Sequence, residues 1–275
     1  MDSGKREELL TILSQQVTKL RSSEGWQHWL SVAARFRSYS LRNQLLIAAQ
    51  RPDATWVAGY RTWQALGRHV RRGERGIAIL APLIRRVIDQ QHNTTTDGAP
   101  ETTAIISGFK VVHVFDINQT DGDDLPIPMM PDVEVPDDTL LDRLITTAQA
   151  VGYTVEYVND ADNGARGWYD PTTRTITLVS TYPHSSRTRT ILHELAHAHD
   201  TFEPDDTRAV RELVAESAAY IVGTGVFTIS MDDASALYST VWGASTEMLQ
   251  RLAQRVHRVA HAVEMLVSNA ASVTP

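Results

Sequence analysis

The stretch TILHELAHAHD (residues 190–200) decides the fold of the C-terminal half of this 275-residue chain. It contains His193 and His197, four residues apart, and side chains at this spacing lie on one face of a helix. Both imidazoles can then bind the same cation, and Glu194 beside them can accept a proton from a water molecule. The apolar residues of the stretch predict that the opposite face of the helix is buried. The pattern is typical of a helix that carries a metal centre.

A catalytic zinc ion takes three protein ligands and leaves one position open, so a third ligand is needed. The next predicted helix contains Glu212 and Glu216, again four residues apart on one face. One of them could bind the metal while the other orients a histidine through a hydrogen bond. Glu203, ten residues after His193, is an alternative, but its spacing needs a sharp turn at Asp200, where glycine is favoured. The residues alone leave this choice open.

The site helix is preceded by a predicted apolar strand, Thr175–Val179. Metallopeptidases place at this point the edge strand that aligns an extended peptide by main-chain pairing. We therefore expect this strand to lie at a sheet edge beside the metal centre.

The composition excludes several classes of chemistry. The chain contains no cysteine, which excludes a disulfide scaffold, a thiolate nucleophile and an iron–sulfur cluster. It shows no apolar run long enough to cross a membrane and no secretory signal at its N-terminus. We therefore expect a cytoplasmic protein with no membrane partner, whose metal site uses histidine and carboxylate ligands.

The formal net charge of −7 is an average over two unlike parts. Residues 35–86 contain eleven arginines and two acidic residues, a charge of +9, which leaves −16 for the rest of the chain. Such asymmetry is typical of a polyanion-binding part joined to an acidic part. Arginine suits bidentate phosphate contacts, and the interleaved aromatic residues can stack on unpaired bases. Two other interpretations remain open. The arginines could simply form solvent-exposed helix faces, and the aromatic residues could belong to a hydrophobic core.

A nucleic-acid site is therefore predicted within and around this basic segment. Asn43 and Gln44 could meet bases or instead brace the domain, and the turn with Gly73 and Gly76 could approach a phosphate or simply join two strands. The candidate DNA-binding residues are Arg35, Arg37, Tyr39, Arg42, Asn43, Gln44, Arg61, Trp63, Arg68, Arg71, Arg72 and Arg75.

Hydrophobic periodicity predicts an α+β protein of two domains. Helices are expected at 5–21, 26–36, 41–50, 61–66, 139–151, 185–200, 207–223 and 246–270. Strands are expected at 56–58, 77–80, 83–88, 105–115, 153–158 and 175–179, with NGARGWYD as a turn. An acidic, proline-rich stretch separates the two halves. The predicted organisation is a small N-terminal domain over 1–125, a linker over 126–138 and a C-terminal domain over 139–275.

The C-terminal half resembles the zincin-like metallopeptidases of the ImmA/IrrE and ArdC type. In those proteins an HExxH motif is followed one helix later by a Glu-x-x-Ala pattern, here Glu212-Leu-Val-Ala215 and then Glu216. The upstream segment GWYDPTTRTITL (167–178) also resembles the strand-turn-strand that those proteins carry before the site helix. The resemblance implies Zn²⁺ held by His193, His197 and Glu212, with other divalent ions as alternatives. It implies Glu194 as the catalytic general base and Glu216 as the supporting residue or the alternative ligand.

The N-terminal half is similar to the single-stranded-DNA-binding domain of ArdC proteins. The residues that carry the similarity are Tyr39–Gln44, Val57–Arg61, Trp63-Gln64 and Leu66–Pro82. ArdC-type proteins are antirestriction factors of plasmids and phages, so the resemblance implies single-stranded DNA as a partner, with duplex DNA as an alternative. It also implies a zinc endopeptidase that cuts a protein or peptide met on DNA.

Two other functions remain open at this point. The first is a DNA-protecting binding protein whose metal site is not catalytic. The second is an ImmA/IrrE-like peptidase that cleaves a repressor. The intact Glu194 favours catalysis, because a purely structural metal site has no use for a base beside the ion.

Overall fold

The structure is a computed structural model, and it describes residues 2–88, 102–124, 137–161, 164–227 and 244–271. Both helices and strands are present, which confirms the prediction of a mixed protein. The residues form two compact units. Unit 1 contains residues 1–15 and 45–123, and unit 2 contains residues 16–44 and 124–275. Among the described residues, no helix has the length and apolar character needed to cross a membrane.

Strands dominate unit 1. The chain begins with α1 (Asp2–Lys19) and returns to this unit within α3 (Leu41–Gln50). It continues with β1 (Val57–Gly59), α4 (Tyr60–Ala65), β2 (Arg68–Val70), β3 (Ile77–Ile88), β4 (Thr102–Asp116), a 3-10 turn (Ile117–Gln119) and β5 (Thr120–Gly122). The strands form an antiparallel sheet in the order β1-β4-β3 and an antiparallel ribbon of β2 and β5.

The two strands predicted at 77–80 and 83–88 are a single strand, β3. Pro82 has no backbone N–H, but β3 lies at an edge of its sheet, where proline is tolerated. A register shift between Leu83 and Ile84 forms a bulge at the same point. The proline and the bulge therefore interrupt the apolar pattern without ending the strand.

A buried polar network fixes the basic turn over residues 71–76. Asp116 at the end of β4 is buried, and its Oδ2 accepts the backbone N–H of Thr55 at 2.7 Å. Gln119 donates from Nε2 to the Glu74 carboxylate and to the Arg75 carbonyl, both at 2.9 Å. Because these bonds satisfy polar groups taken from water, they hold the turn in one conformation.

Unit 2 combines five helices of the described chain with a three-stranded sheet. The helices are α2 (Ser23–Arg35), α5 (Asp137–Ala150), α6 (His184–His199), α7 (Arg208–Val226) and α8 (Thr246–Ala271). The strands are β6 (Thr154–Val158), β7 (Gly167–Asp170) and β8 (Thr175–Val179). The central strand β8 is parallel to β6 and antiparallel to β7. Helix α6 packs on β7, β8, α5, α7 and α8, so it forms the centre of the unit.

The strand Thr175–Val179 is confirmed, but its predicted edge position is wrong, because β7 occupies that edge. The pattern NGARGWYD alone predicts a turn, but the strand-turn-strand that the family resemblance implies for GWYDPTTRTITL (167–178) is confirmed, because Gly167–Asp170 pairs with β8. Gly167 allows close packing of β7 on α6: a Cβ there would lie 2.6 Å from Thr190 Cγ2. Because glycine has no side chain, the backbone of β7 can pack directly against α6 at this position.

Helix α2 belongs to unit 2 although it comes from the N-terminal part of the chain. Trp26 is fully buried, and its Nε1 donates a hydrogen bond of 3.0 Å to Ser217 Oγ in α7. Arg37 donates from Nε to the Glu264 carboxylate of α8 at 2.9 Å and also donates to the Gly225 carbonyl. These contacts make residues 16–44 part of the C-terminal unit.

The predicted domain organisation remains a prediction. The domain predicted over 1–125 includes residues 16–44, whereas the compact units group these residues with the C-terminal part of the chain. Most of the predicted linker, up to residue 136, lies outside the described residues. Residues 137–138 of that linker begin α5.

Candidate metal centre

The site helix α6 is held in place by its apolar face, as its sequence predicts. The fully buried residues of that face are Ile191, Leu192, Leu195 and Ala196. The helix is followed by Asp200 in an extended conformation, with φ −84° and ψ 137°. The burial of this face fixes which way the histidines of the other face point.

Three side chains from α6 and α7 converge on one point. The Nε2 atoms of His193 and His197 lie 3.0 Å apart. Glu212 Oε2 lies 3.3 Å from the first of these atoms and 3.6 Å from the second. In the described part of the chain, this is the one group of three acidic or histidine side chains whose ligand atoms are close enough to share an ion. Two imidazole nitrogens and a carboxylate oxygen form a ligand set suited to a catalytic divalent ion.

Glu216 lies behind His193, with Oε2 3.0 Å from Nδ1. When Nδ1 donates its proton to this carboxylate, the lone pair of Nε2 is directed at the three-residue cluster. The sequence pattern alone did not decide whether Glu212 or Glu216 is the third ligand. In the structure Glu212 is part of the cluster, and Glu216 lies behind His193.

The alternative ligand Glu203 takes no part in the cluster. It lies in the exposed connection between α6 and α7, where its backbone N–H donates to the Asp206 carboxylate at 2.7 Å. The extended conformation of Asp200 does not make the sharp turn that this ligand spacing needs.

Glu194 is 7% exposed. Burial raises the pKa of its carboxyl group, because desolvation penalises the charged form. The backbone N–H of Tyr169 in β7 donates a hydrogen bond to the same carboxylate. Glu194 therefore contacts the edge strand, and it is not one of the three clustered side chains.

The electrostatics of the cluster favour a positive charge at its centre. Burial lowers the pKa of His193, but the hydrogen bonds with Glu212 and Glu216 outweigh this effect and raise the pKa to about 10. Hydrogen bonds with the two histidines hold the pKa of Glu212 well below its usual range. The site is therefore built to hold a cation, which a proton or a divalent metal ion can supply.

A buried ion cluster fixes the connection between the two ligand-bearing helices. Arg255 of α8 makes a bidentate pair with Asp200, at 2.6 and 2.7 Å, and its Nη1 lies 2.7 Å from Asp206 Oδ2. All three side chains are buried. Because Asp200 follows α6 and Asp206 precedes α7, the cluster sets how the two helices meet.

The ligand cluster opens into a cavity of about 870 Å³. Its lining includes all the residues of the cluster together with Glu194 and Gly167, Trp168 and Tyr169 of β7. A cavity of this size accommodates a short segment of extended chain. Strand β7, the edge strand of the sheet in the described residues, therefore borders the same space as the candidate metal ligands.

The predicted DNA-binding residues of unit 2 fall into two groups. Arg35 and Arg42 are exposed, whereas Arg37 is bonded to α7 and α8 as described above. The half-buried ring of Tyr39 packs edge-on against Phe36, with ring centroids 6.3 Å apart.

Asn43 and Gln44 are both buried. Gln44 Oε1 accepts the indole N–H of Trp29 at 3.3 Å, and its Nε2 donates to the Phe36 carbonyl at 3.1 Å. The structure therefore corrects the prediction for Gln44: its side chain braces the core, and it cannot reach a base.

The predicted residues of unit 1 are also divided. Arg61, Arg72 and Arg75 are exposed, whereas Arg71 is engaged with Glu74 at 2.9 Å. Arg68 bonds across the ribbon, with Nε 2.8 Å from Thr120 Oγ1 and Nη2 3.0 Å from its carbonyl oxygen.

Trp63 requires the same correction as Gln44. The residue is fully buried, and its Nε1 donates to the Phe115 carbonyl at 2.9 Å. Its ring packs edge-on against Trp56, with centroids 5.6 Å apart. It belongs to the core of unit 1, and it offers no surface on which a base could stack.

Two aromatic residues outside the list of candidate DNA-binding residues lie together in unit 1, namely the exposed Tyr60, one of the interleaved aromatic residues, and the half-buried Phe115. Phe115 alternates along β4 with the buried Val114, so it lies on the opposite face. Tyr60 is 48% exposed, and its ring lies 6.4 Å from that of Phe115. Gly76 makes room beneath it: a Cβ there would lie 3.0 Å from Phe115 Cζ. The alternation in KVVHVFD (110–116) is the sequence signal that indicates this face.

Residues 7–115 match the model for the N-terminal domain of anti-restriction factor ArdC. Curated proteins give no match to the chain. Two solved structures share its fold, namely the antirestriction ArdC protein from the R388 plasmid in metal-free and Mn(II)-bound forms, each 22% identical in sequence. The metal-free structure gives a TM-score of 0.56 over 86% of this chain and 87% of that chain, and the Mn(II)-bound structure gives 0.54 over 86% of each.

By sequence, residues 7–115 are an ArdC-like N-terminal domain, and the chain as a whole shares the fold of the R388 ArdC protein. The matched part of this chain, residues 7–115, is therefore of the ArdC type. The predicted ArdC resemblance is confirmed by sequence over residues 7–115 and by fold over 86% of the chain.

Proposed function

We propose that unit 2 is a zincin-like, metal-dependent endopeptidase and that unit 1 binds single-stranded DNA, as parts of one cytoplasmic antirestriction protein. The observation that carries the peptidase proposal is the convergence of His193, His197 and Glu212, with Glu194 beside them and Glu216 behind His193. The Mn(II)-bound form of the R388 protein supports a divalent ion as the occupant.

The donor set fits a zinc ion, with Mn²⁺ as an alternative occupant. His193, His197 and Glu212 would hold the ion, which would supply Lewis-acid polarisation of a peptide carbonyl. Glu194 accepts a proton from the water that attacks the carbonyl carbon and returns it to the departing amine nitrogen. Glu216 keeps the imidazole of His193 in the correct tautomer. The edge of β7 aligns the peptide by main-chain hydrogen bonds.

The decisive variant is Glu194→Gln, measured against Glu203→Gln in the exposed loop. Metal content and hydrolysis of a mixed peptide library are measured on the same samples by elemental analysis and mass spectrometry. We expect Glu194→Gln to retain the metal and to lose peptide cleavage by about 10²-fold or more, since general-base catalysis contributes that much. Cleavage at the wild-type rate by Glu194→Gln would overturn the mechanism.

The same variant separates the proposal from its rivals. A DNA-protecting protein with a non-catalytic metal site protects DNA equally well with Glu194→Gln, whereas a peptidase mechanism of protection loses its effect. A repressor-cleaving peptidase cleaves one transcription factor, and its activity does not depend on the exposed arginines of unit 1.

The support for DNA binding comes from the matched N-terminal domain and from the surface of unit 1. Arg61, Arg72 and Arg75 are exposed cations suited to phosphates. The exposed ring of Tyr60 beside Phe115 offers a face for an unpaired base. Single strands are preferred in this proposal because duplex bases do not expose their faces for stacking.

The DNA proposal is tested by fluorescence anisotropy with a labelled oligo-dT strand and a hairpin duplex at several salt concentrations. Affinity should fall log-linearly with salt, and Arg72→Gln with Arg75→Gln should reduce the slope by about 1–2. Tyr60→Ala should weaken binding of the single strand by about 1–3 kcal/mol. Arg6→Gln, an exposed arginine of α1, is the control. Affinity that does not change with salt would contradict the proposal.

A further inference from the structure

The two long strands of unit 1 extend beyond the rest of their sheet. Strand β1 pairs with β4 at Val114–Asp116, whereas β3 pairs with β4 along its whole length. Residues 77–88 and 102–113, the β3–β4 arm, therefore form a two-stranded segment in the part of the chain that the structure describes. Ile84 in this arm is 67% exposed, and Ile106, which pairs with it directly, is 64% exposed.

One face of β4 carries apolar and aromatic side chains at regular intervals. Successive side chains of a strand alternate between two faces, so one face of β4, its aromatic face, carries Phe109, Val111, His113 and Phe115. A Cβ at Gly76 would lie 2.8 Å from His113 Cβ and 3.0 Å from Phe115 Cζ, which confirms that these two residues share a face. Phe109 is 36% exposed, and His113 is exposed as well. At about 3.4 Å per residue, this face presents a side chain every 6.8 Å or so along about 20 Å of strand.

The exposed isoleucine pair continues the aromatic face of β4. Pro82 pairs with Phe109, and Ile84 lies two residues after Pro82 on β3. Residues two apart on a strand share a face, so Ile84 and its partner Ile106 lie on the same side of the arm as Phe109. Leu83 lies between Pro82 and Ile84 and therefore points to the opposite side.

The charges of the arm suit a polyanion. Its Lys, Arg, Asp and Glu residues are all cationic, namely Arg85, Arg86 and Lys110. A second copy of the chain seated on this arm would bring the same three cations against them, and like charges repel. A nucleic-acid strand brings phosphates instead, which attract them.

We propose that the aromatic face of β4 is a binding site for consecutive bases of a single nucleic-acid strand, from Tyr60 and Phe115 at one end to the isoleucine pair at the other. The inference rests on the proposed DNA binding of unit 1 and assigns a site to it. Aromatic rings stack on any base, because every base has a π-face. The isoleucine pair packs against a base as the apolar wedges of other DNA-binding proteins do.

The spacing along β4 favours a single strand over a duplex. Stacked bases of a duplex follow one another at about 3.4 Å, which is half the distance between successive side chains of the aromatic face. Bases that each contact one of these side chains must therefore be unstacked, as in an extended single strand. A duplex keeps its bases paired and stacked, so it offers this face its phosphates alone.

The test compares three labelled probes by fluorescence anisotropy with the full chain: a dT₁₀ strand, an abasic strand with the same number of phosphates, and a hairpin duplex. Phe109→Ala should weaken binding of dT₁₀ about tenfold, because it removes one stacking partner. Ile106→Ala should weaken it in the same direction. Neither variant should change binding of the abasic strand or the duplex, since the phosphate contacts remain.

Leu83→Ala is the matched control, because Leu83 is 41% exposed in the same arm but lies on its opposite face. It should bind dT₁₀ like the wild type. Circular dichroism confirms that each variant is folded, and Ile106→Ala, at the more exposed position, carries the test if Phe109→Ala is not.

Several outcomes would overturn the proposal. One is unchanged dT₁₀ binding in Phe109→Ala and Ile106→Ala, and another is an equal loss in Leu83→Ala. A wild-type dimer in sedimentation velocity that both variants abolish, with dT₁₀ binding unchanged, would assign the face to a second copy. If Arg72→Gln with Arg75→Gln weakens dT₁₀ binding while the face variants do not, DNA binding stands and this site fails. If the wild type binds no strand at low salt, both fail.

Discussion

At the scale of single residues, Glu216 fixes the orientation of His193, a candidate metal ligand, without being a ligand itself. Its carboxylate accepts the Nδ1 proton of His193 at 3.0 Å, which fixes the ring and its tautomer. Loss of such a supporting carboxylate typically lowers metal affinity about 10–100-fold. We expect Glu216→Ala to show this loss in a Zn²⁺ competition titration with a chromophoric chelator, and Glu216→Gln to show a smaller one. Glu203→Ala is the matched control, and wild-type affinity in Glu216→Ala would contradict the assignment.

His257 of α8 gives the stability of unit 2 a dependence on pH. Burial lowers the pKa of His257, and its Nδ1 lies 3.5 Å from Gln44 Nε2. The unfolded chain therefore binds the proton first, and stability falls as the pH is lowered through the unfolded value of about 6.5. His257→Gln should flatten the change in urea midpoint between about pH 7 and pH 5. The control variant His69→Gln, at an exposed position, should not flatten this change. Equal changes of the urea midpoint with pH in the wild type and His257→Gln would refute the prediction.

The residues of the candidate metal centre could be predicted because helix geometry fixes which side chains share a face. The spacing from His193 to His197 and from Glu212 to Glu216 needs no knowledge of the rest of the fold. The role of Trp63 could not be predicted in this way. Whether an aromatic residue stacks on a ligand or fills a core depends on which strands pack over it, and those strands lie far away in sequence.

At the scale of elements, the meeting of α6 and α7 depends on Arg255. Its guanidinium is the partner of two buried carboxylates, Asp200 and Asp206. Arg255→Met would leave both without a countercharge, and breaking such a buried cluster costs about 3–5 kcal/mol of the free energy of unfolding. Arg255→Lys keeps the charge and should cost less.

Urea denaturation followed by circular dichroism measures these losses. Arg251→Met, at an exposed position one turn earlier in α8, is the matched control and should stay within about 0.5 kcal/mol of the wild type. A loss for Arg255→Met no larger than that of the control would show that the cluster does not hold the helices together.

Long elements with regular periodicity could be predicted, and elements that depend on partners could not. The spans of α3 and β8 agree with their predicted residues, because each has a clear apolar pattern and a clear end. Strand β7 is only four residues long and follows turn-forming residues, so local pattern alone predicts a turn there, and the strand could be predicted only from the family resemblance. Neither signal shows that β7, and not β8, takes the edge of the sheet, because strand order depends on pairing.

At the scale of the whole molecule, the basic segment of the sequence does not correspond to one surface. Its +9 charge covers residues 35–86, but residues 35–44 belong to unit 2 and the remainder to unit 1. Within unit 2, Arg37 is committed to Glu264 and the Gly225 carbonyl. Counting charges over residues 35–86 therefore overstates the number of arginines that unit 1 can offer to DNA.

The assignment of residues 16–44 to unit 2 also predicts that the C-terminal half of the chain does not fold by itself. Trp26 and Trp29 of α2 are buried in unit 2, and Trp26 donates to Ser217 of α7 at 3.0 Å. A fragment spanning 139–275 would lack these residues and expose the apolar surface of α7 that they cover. Removal of one such aromatic side chain already costs about 3–5 kcal/mol, which is a large share of the stability of a domain.

We therefore expect the fragment 139–275 to show no cooperative unfolding transition and no tight Zn²⁺ binding, whereas the full chain shows both. In the full chain, Trp26→Ala should lower the free energy of unfolding of unit 2 by about 3–5 kcal/mol. Ser217→Ala, which removes only the hydrogen-bond acceptor, should lower it by about 1 kcal/mol. Urea denaturation and chelator competition measure both properties. A fragment 139–275 with the urea midpoint and Zn²⁺ affinity of the full chain would show that the C-terminal unit is complete without α2.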